Sequence, residues 1–101
     1  MPKLYEYRGL IVFFYSDEHE PVHVHGTFQG RESKAEIIIV QGRVVGIRYG
    51  RVSGMRPLGG KALRDFKALV EARAGEIVEK WIDYFVRNRS ITPQKLARRI
   101  R

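Results

Sequence analysis

The stretch that most directly determines the fold is Lys34-Ala35-Glu36-Ile37-Ile38-Ile39-Val40-Gln41-Gly42-Arg43-Val44-Val45-Gly46-Ile47-Arg48-Tyr49. Two runs rich in β-branched residues flank Gln41-Gly42, a pair that suits a two-residue hairpin turn. The stretch therefore predicts two antiparallel strands, residues 34–40 and 43–49. Because the three isoleucines at 37–39 are consecutive and do not alternate with polar residues, we expect the first of these strands to be covered on both faces.

The same kind of pattern extends toward the N-terminus. Residues 4–7 and 10–15 are aromatic and β-branched runs separated by Arg8-Gly9, a spacing that allows a tight hairpin. Residues 22–28 continue as a third strand, which ends at Gln29-Gly30. Five consecutive strands with short connections predict an antiparallel meander.

From residue 61 the apolar residues follow a helical period. They recur every three or four positions, and the pattern keeps its phase through Gly75. The residues in this stripe are Leu63, Phe66, Val70, Ala74, Ile77, Trp81 and Phe85. The stripe predicts one long C-terminal helix with a kink at Gly75 at most.

The last residues favour a separate short helix. Thr92 would cap it and Pro93 would occupy its first position, while Leu96 and Ile100 form an apolar pair on an otherwise basic turn. The predicted fold class is thus α+β: about five antiparallel strands packed against one long helix, with a short basic terminal helix. We expect one domain over residues 1–88 and a basic tail over residues 89–101.

A helix of this length has consequences for assembly. Some 26 residues would span about 39 Å, more than a domain of this size can cover. The distal half, with Trp81, Tyr84 and Phe85, is therefore a candidate homodimer contact. The simpler alternative is that these side chains all belong to the core.

All three histidines fall between Ser16 and Gly26. If a strand follows Pro21, His23 and His25 share one face, about 6–7 Å apart, and His19 could return from the preceding turn. These three histidines are candidate ligands of one divalent metal, zinc or manganese. In a catalytic version, Glu18 or Glu20 would position a metal-bound water and take its proton. The alternative is that the imidazoles are structural, hydrogen-bonded groups on a half-buried strand.

The histidine segment also carries a family resemblance. The run Phe13-Phe14-Tyr15-Ser16-Asp17-Glu18-His19-Glu20-Pro21-Val22-His23-Val24-His25 resembles the signature of the bacterial domain-of-unknown-function family numbered 4160. Residues 35–39 and 79–85 resemble the second half of that family, so the resemblance covers about residues 4–86. It implies a small α+β domain, often encoded beside another small protein in a suspected toxin–antitoxin pair, and no established catalytic residue. The Gly- and Arg-rich stretch between residues 41 and 60 and the basic extension after Phe85 depart from the family pattern.

The charge indicates an anionic partner. The net charge is +8 and the sequence pI is about 10.2, and residues 87–101 contribute six basic and no acidic side chains. The loop at residues 50–60 lacks the order of a P-loop, but its arginines could contact phosphate. Candidate nucleic-acid-binding residues are therefore Arg51, Arg56, Arg87, Arg89, Lys95, Arg98, Arg99 and Arg101. A flexible connector and a solvated terminus are the simpler alternatives for the loop and the tail.

Composition restricts the remaining possibilities. The 101 residues contain no cysteine, no N-terminal signal pattern and no run of 18 apolar residues, so we expect a cytoplasmic protein without a membrane segment. Two function classes follow. The first, which we favour, is a binding module for nucleic acid or a small partner protein, acting through the basic tail and loop. The second is a divalent-metal-dependent hydrolase of the nuclease type, built on the histidine segment.

Overall fold

The computed structural model describes residues 2–15 and 22–97. In chain order these residues form β1 (Lys3–Tyr7), β2 (Leu10–Phe13), β3 (His23–Phe28), β4 (Arg31–Val40), β5 (Arg43–Arg51), α1 (Gly60–Ala72), α2 (Ala74–Phe85) and β6 (Gln94–Lys95). The predicted α+β class is confirmed. Among the described helices, none is long and apolar enough to cross a membrane.

Three two-residue turns of the same kind join the strand pairs β1–β2, β3–β4 and β4–β5. Their first residues are Arg8, Gln29 and Gln41, with φ of 48°, 48° and 51°, and each is followed by a glycine with φ between 78° and 89°. Positive φ at both positions is typical of the type I′ turn, whose twist matches that of the flanking strands. Glycine takes the second position without steric cost. These local preferences explain why the N-terminal half folds as consecutive hairpins.

The sheet has six strands in the order β5-β4-β3-β2-β1-β6. The first five are antiparallel neighbours, but β6 pairs with β1 in parallel, Tyr5 opposite Gln94 and Glu6 opposite Lys95. The prediction of a purely antiparallel, five-stranded sheet is therefore wrong. The sheet is mixed, and the helices lie between β5 and β6 in the chain.

The predicted short helix starting at Thr92 is also wrong for residues 94–95, which form β6. Pairing with β1 satisfies backbone groups at an edge that would otherwise be open, and the N–H of Leu96 donates to the carbonyl oxygen of Glu6 at 2.8 Å. Ile91 and Leu96 also pack against the core. A two-turn helix with a single apolar pair would bury less. Residues 98–101 lie outside the described residues.

Both helices cover one face of the sheet. The core between them contains Val12, Val24 and Ala35 from the strands, with Phe66 and Ile77 from α1 and α2. The approach is closest at one glycine in the middle of β3: a Cβ atom at residue 26 would lie 2.5 Å from Cδ1 of Phe66. Glycine is therefore required there for the aromatic ring to rest on the sheet.

The helical region is two helices, so the prediction of one long helix is wrong. The break is at Arg73, whose φ and ψ are −122° and 21°, and not at Gly75. A straight helix over residues 60–85 would be about 39 Å long, whereas the largest dimension of the molecule is 33 Å. The break lets both halves stay on the sheet.

Contacts around Tyr5 in β1 fix the start of α2. The Tyr5 hydroxyl donates a hydrogen bond to Glu76, and the Arg73 guanidinium lies 5.3 Å from the centre of the Tyr5 ring. Burial, and secondly the bond to Glu76, raises the pKa of Tyr5 above its usual value. The same bond is the main cause that lowers the pKa of Glu76. The helix propensities of Ala72, Arg73 and Ala74 do not predict an interruption here. These contacts with Tyr5 are what favour the break between α1 and α2.

The β4–β5 hairpin is longer than the rest of the sheet. β3 pairs with β4 only at residues 31–36, so the hairpin extends beyond its neighbour. We call residues 39–45 the hairpin tip. Ile37 is buried, but Ile39 is 37% exposed, so the prediction that this strand is covered on both faces is wrong at residue 39.

Candidate nucleic-acid interface and histidine segment

His23 and His25 lie in β3 and point away from the helices. Successive residues of a strand face opposite sides of the sheet, and Gly26 faces Phe66 of α1. Both histidines therefore belong to the face that α1 and α2 leave uncovered. They share a face, as the strand period predicts, but their surroundings differ.

His25 is buried in an aromatic and acidic cluster. Its exposed fraction is 2%, its Nδ1 lies 3.3 Å from Oε2 of Glu32, and its ring contacts Phe13 and the edge of Tyr15. The Tyr15 hydroxyl donates to the same Glu32 oxygen at 2.6 Å. The carboxylate is itself buried, so these neighbours compensate the loss of water around it. Such an arrangement can fix the register of β3 on β4.

Sequence reasoning missed Glu32 and Tyr15 as members of this cluster. The position of Glu32 could have been predicted from the turn at Gln29-Gly30, because this turn fixes the register of β3 and β4. In that register Glu32 stands opposite Thr27 and is diagonal to His25 on the same face of the sheet. The contacts of Tyr15 with His25 and Glu32 could not be predicted from local spacing.

His23 borders an open cavity of about 210 Å³ on the same face. The cavity is also lined by Lys34 and Glu36 of β4 and by Arg48 of β5. Arg48 Nη1 lies 3.8 Å from Glu36 Oε1, a loose pair with an exposed guanidinium. The cavity is open to water, and these four side chains carry its polar groups.

The predicted metal site falls partly outside the described residues. His19, Glu18 and Glu20 lie there, so whether they approach His23 and His25 is not tested. Within residues 2–15 and 22–97, no group of three or more histidine, aspartate or glutamate side chains is placed to hold a metal ion. The metal site remains a prediction.

Three exposed arginines lie at or near the beginning of β4. The loop after β5 returns to β4: the N–H of Glu32 donates to the carbonyl oxygen of Arg56 at 2.8 Å, and Leu58 N–H donates to Ser33 Oγ at 2.9 Å. Arg51 stands opposite Ser33 at the end of β5. Arg31 Nη1 reaches toward the Pro57 carbonyl oxygen at 3.5 Å.

We call Arg31, Arg51 and Arg56 the basic end. None of the three forms an ion pair with a carboxylate of the described residues. Arg51 and Arg56 were predicted, whereas Arg31 was missed because its position beside them depends on hydrogen bonds between segments about 25 residues apart. Three exposed arginines at one end of the sheet, without a carboxylate partner among the described residues, form a region that can bind phosphate.

Three of the predicted tail cations, Arg87, Arg89 and Lys95, are among the described residues. Arg87 and Arg89 both approach Asp83, at 3.0 and 3.8 Å, which offsets part of their charge. Lys95 is exposed in β6, at the opposite edge of the sheet from β5. Arg98, Arg99 and Arg101 lie outside the described residues. Among the described residues, the tail cation Lys95 and the loop-side cation Arg51 therefore lie on strands at opposite edges of the sheet.

These features define a small α+β domain with a helix-covered face, an open polar face and a basic end. The chain belongs to the family described as "Domain of unknown function (DUF4160)", which matches residues 9–82. The match runs from the first hairpin into α2, so it includes the histidines and the basic end but not Arg87, Arg89 or β6. No curated protein and no solved structure shows significant similarity to the chain.

Proposed function

We propose that the protein is a nucleic-acid-binding module whose basic end contacts the sugar–phosphate backbone. The observation that carries this proposal is the return of the 52–59 loop to β4, which brings the backbone of three exposed arginines to the same end of the sheet. Guanidinium groups bind phosphate oxygens in pairs and remain charged at any physiological pH. Such contacts position a protein on a polynucleotide and do not read its sequence, so we expect weak sequence preference.

The test is the salt dependence of binding. The Arg31→Gln, Arg51→Gln, Arg56→Gln triple variant should bind duplex DNA and single-stranded RNA less tightly than the wild type in fluorescence anisotropy. Each lost phosphate contact reduces the slope of log K against log salt by about 0.9 on duplex DNA and about 0.7 on single strands. The slope should therefore fall by about 2–3 units.

A matched control removes the same charge at other exposed positions. Arg8, Arg43 and Arg64 are exposed and lie outside the basic end, and glutamine is compatible with the Arg8 turn because Gln29 and Gln41 occupy equivalent positions. The control triple variant should keep most of the slope. Equal losses in both triple variants would show that only net charge matters and would refute a defined interface.

The tail supplies a second, weaker contact in this proposal. Deleting it would also remove β6 and the packing of Leu96, so charge substitution is the cleaner experiment. Arg87→Gln, Arg89→Gln and Lys95→Gln together should reduce the slope by less than the basic-end variant, because Asp83 already offsets two of these cations.

Two further proposals remain from the sequence. One is a role in a toxin–antitoxin-like pair, which the family resemblance implies; the exposed hairpin tip would offer a surface for the small partner protein. A metal-dependent hydrolase using His19, His23 and His25 would require zinc or manganese to bind the purified protein stoichiometrically and to be lost in His23→Ala.

A further inference from the structure

The hairpin tip exposes an unusual amount of apolar surface. Ile39, Val40, Val44 and Val45 are 37%, 52%, 39% and 60% exposed. They account for four of the six large exposed hydrophobic residues in the described part of the chain. Several exposed β-branched side chains at the end of a protruding hairpin are typical of an interaction surface.

The strand beside this patch is an edge strand. β5 is nine residues long and has β4 on one side, with no strand on its other side among the described residues. Its outer N–H and C=O groups are therefore available to a further extended segment. Val45 is the extra residue of a bulge, since Val44 pairs with Ile39 and Gly46 with Ile38.

The charge of β5 selects the kind of partner. The strand carries Arg43, Arg48 and Arg51 and no acidic residue. Only Arg48 approaches a carboxylate of the described residues, that of Glu36 on its own sheet. Pairing of two β5 strands from two copies would bring six arginines together without compensation, and charged side chains on an edge strand are a known means of preventing such self-pairing.

We propose that β5 pairs with an extended segment of a second protein in which acidic and apolar residues alternate. Backbone hydrogen bonds would join the segment to the outer edge of β5. Its apolar side chains would cover the hairpin tip, and its carboxylates would face Arg43 and Arg48, which the bulge at Val45 brings to the same face of the strand. This surface is separate from the proposed nucleic-acid contact, apart from Arg51, which belongs to both. Binding of the segment to β5 does not depend on whether the basic end binds phosphate.

The experiment uses the full chain and a synthetic nine-residue peptide of alternating glutamate and valine, with a lysine–valine peptide as control. Amide chemical shifts of the ¹⁵N-labelled protein should change along residues 43–50 with the acidic peptide alone. Val45→Glu, and separately Arg43→Glu with Arg48→Glu, should weaken binding about tenfold or more, since each lost cross-strand contact is replaced by repulsion. Both variants keep Arg51, so nucleic-acid binding should change little.

Three results would overturn the proposal. One is no binding of the acidic peptide at 1 mM. Another is chemical shift changes confined to Arg31, Arg51 and Arg56, which would show that the peptide only imitates a polyanion. The third is a wild-type dimer that Val45→Glu dissociates in sedimentation, which would assign the edge to a second copy of the chain.

Discussion

Replacing Gly26 by alanine tests the packing of α1 on the sheet. The added methyl carbon would lie 2.5, 2.7 and 3.1 Å from three atoms of the Phe66 ring, all closer than ordinary van der Waals contact. Phe66 is fully buried and its ring also meets Tyr49, so it cannot swing into solvent. Overpacking of this kind costs about 1–3 kcal/mol, which corresponds to a drop in Tm of about 5–20 °C for a domain of this size.

Gly46→Ala is the matched control. Residue 46 also lies in a strand, but no atom lies within 4 Å of the Cβ position there. Alanine leaves the unfolded chain fewer backbone conformations than glycine does, so less entropy is lost on folding. This variant should therefore be as stable as the wild type or more stable by about 0.4–1 kcal/mol. Urea denaturation of both variants measures the two effects. In the double variant Gly26→Ala with Phe66→Leu, the cost should be less than the sum of the single costs because the smaller side chain leaves room for the methyl group. Equal stability of Gly26→Ala and the wild type would refute the close approach of α1 to β3.

Three other predictions concern pH, the histidines and α2. Because the pKa of Tyr5 is raised in the folded state, its contribution to stability is complete below pH 10 and is lost as the pH rises above 10, by at most about 1.4 kcal/mol per pH unit. Tyr5→Phe should reduce this alkaline loss of stability in urea titrations at pH 8–11. An unchanged loss would contradict the raised pKa of Tyr5. His25→Gln should cost about 1–3 kcal/mol, since it disturbs a buried contact with Glu32, whereas His23→Gln should cost less than about 0.5 kcal/mol; equal effects, each accompanied by loss of bound zinc, would favour the metal site instead. Trp81→Ala should cost about 2–3 kcal/mol, below the range for a fully buried tryptophan, because its side chain is half-buried against Phe85; sedimentation showing that the substitution dissociates a dimer would support the predicted homodimer contact.

Local sequence was enough to predict much of the N-terminal half. Each X-Gly pair specifies a turn within its own few residues, and the alternation on either side specifies which residues face the helices. The hairpins at Arg8-Gly9 and Gln41-Gly42 were therefore found without knowledge of the rest of the chain. The family was recognised for a similar reason, since its signature is a short continuous run.

Tertiary structure alone decided the features that depend on distant segments. Tyr5 pairs with Gln94 across 89 positions, and no local pattern distinguishes that strand from a short helix. The apolar stripe by itself favours one continuous helix. Such a helix would be longer than the molecule, so the break at Arg73 is what keeps both halves packed on the sheet. Arg31 lies near Arg56 because hydrogen bonds from Glu32 and to Ser33 close the loop onto β4. Local sequence determines turns and periodicity, while the cost of leaving edges, backbone groups and apolar surface uncovered determines how distant segments meet.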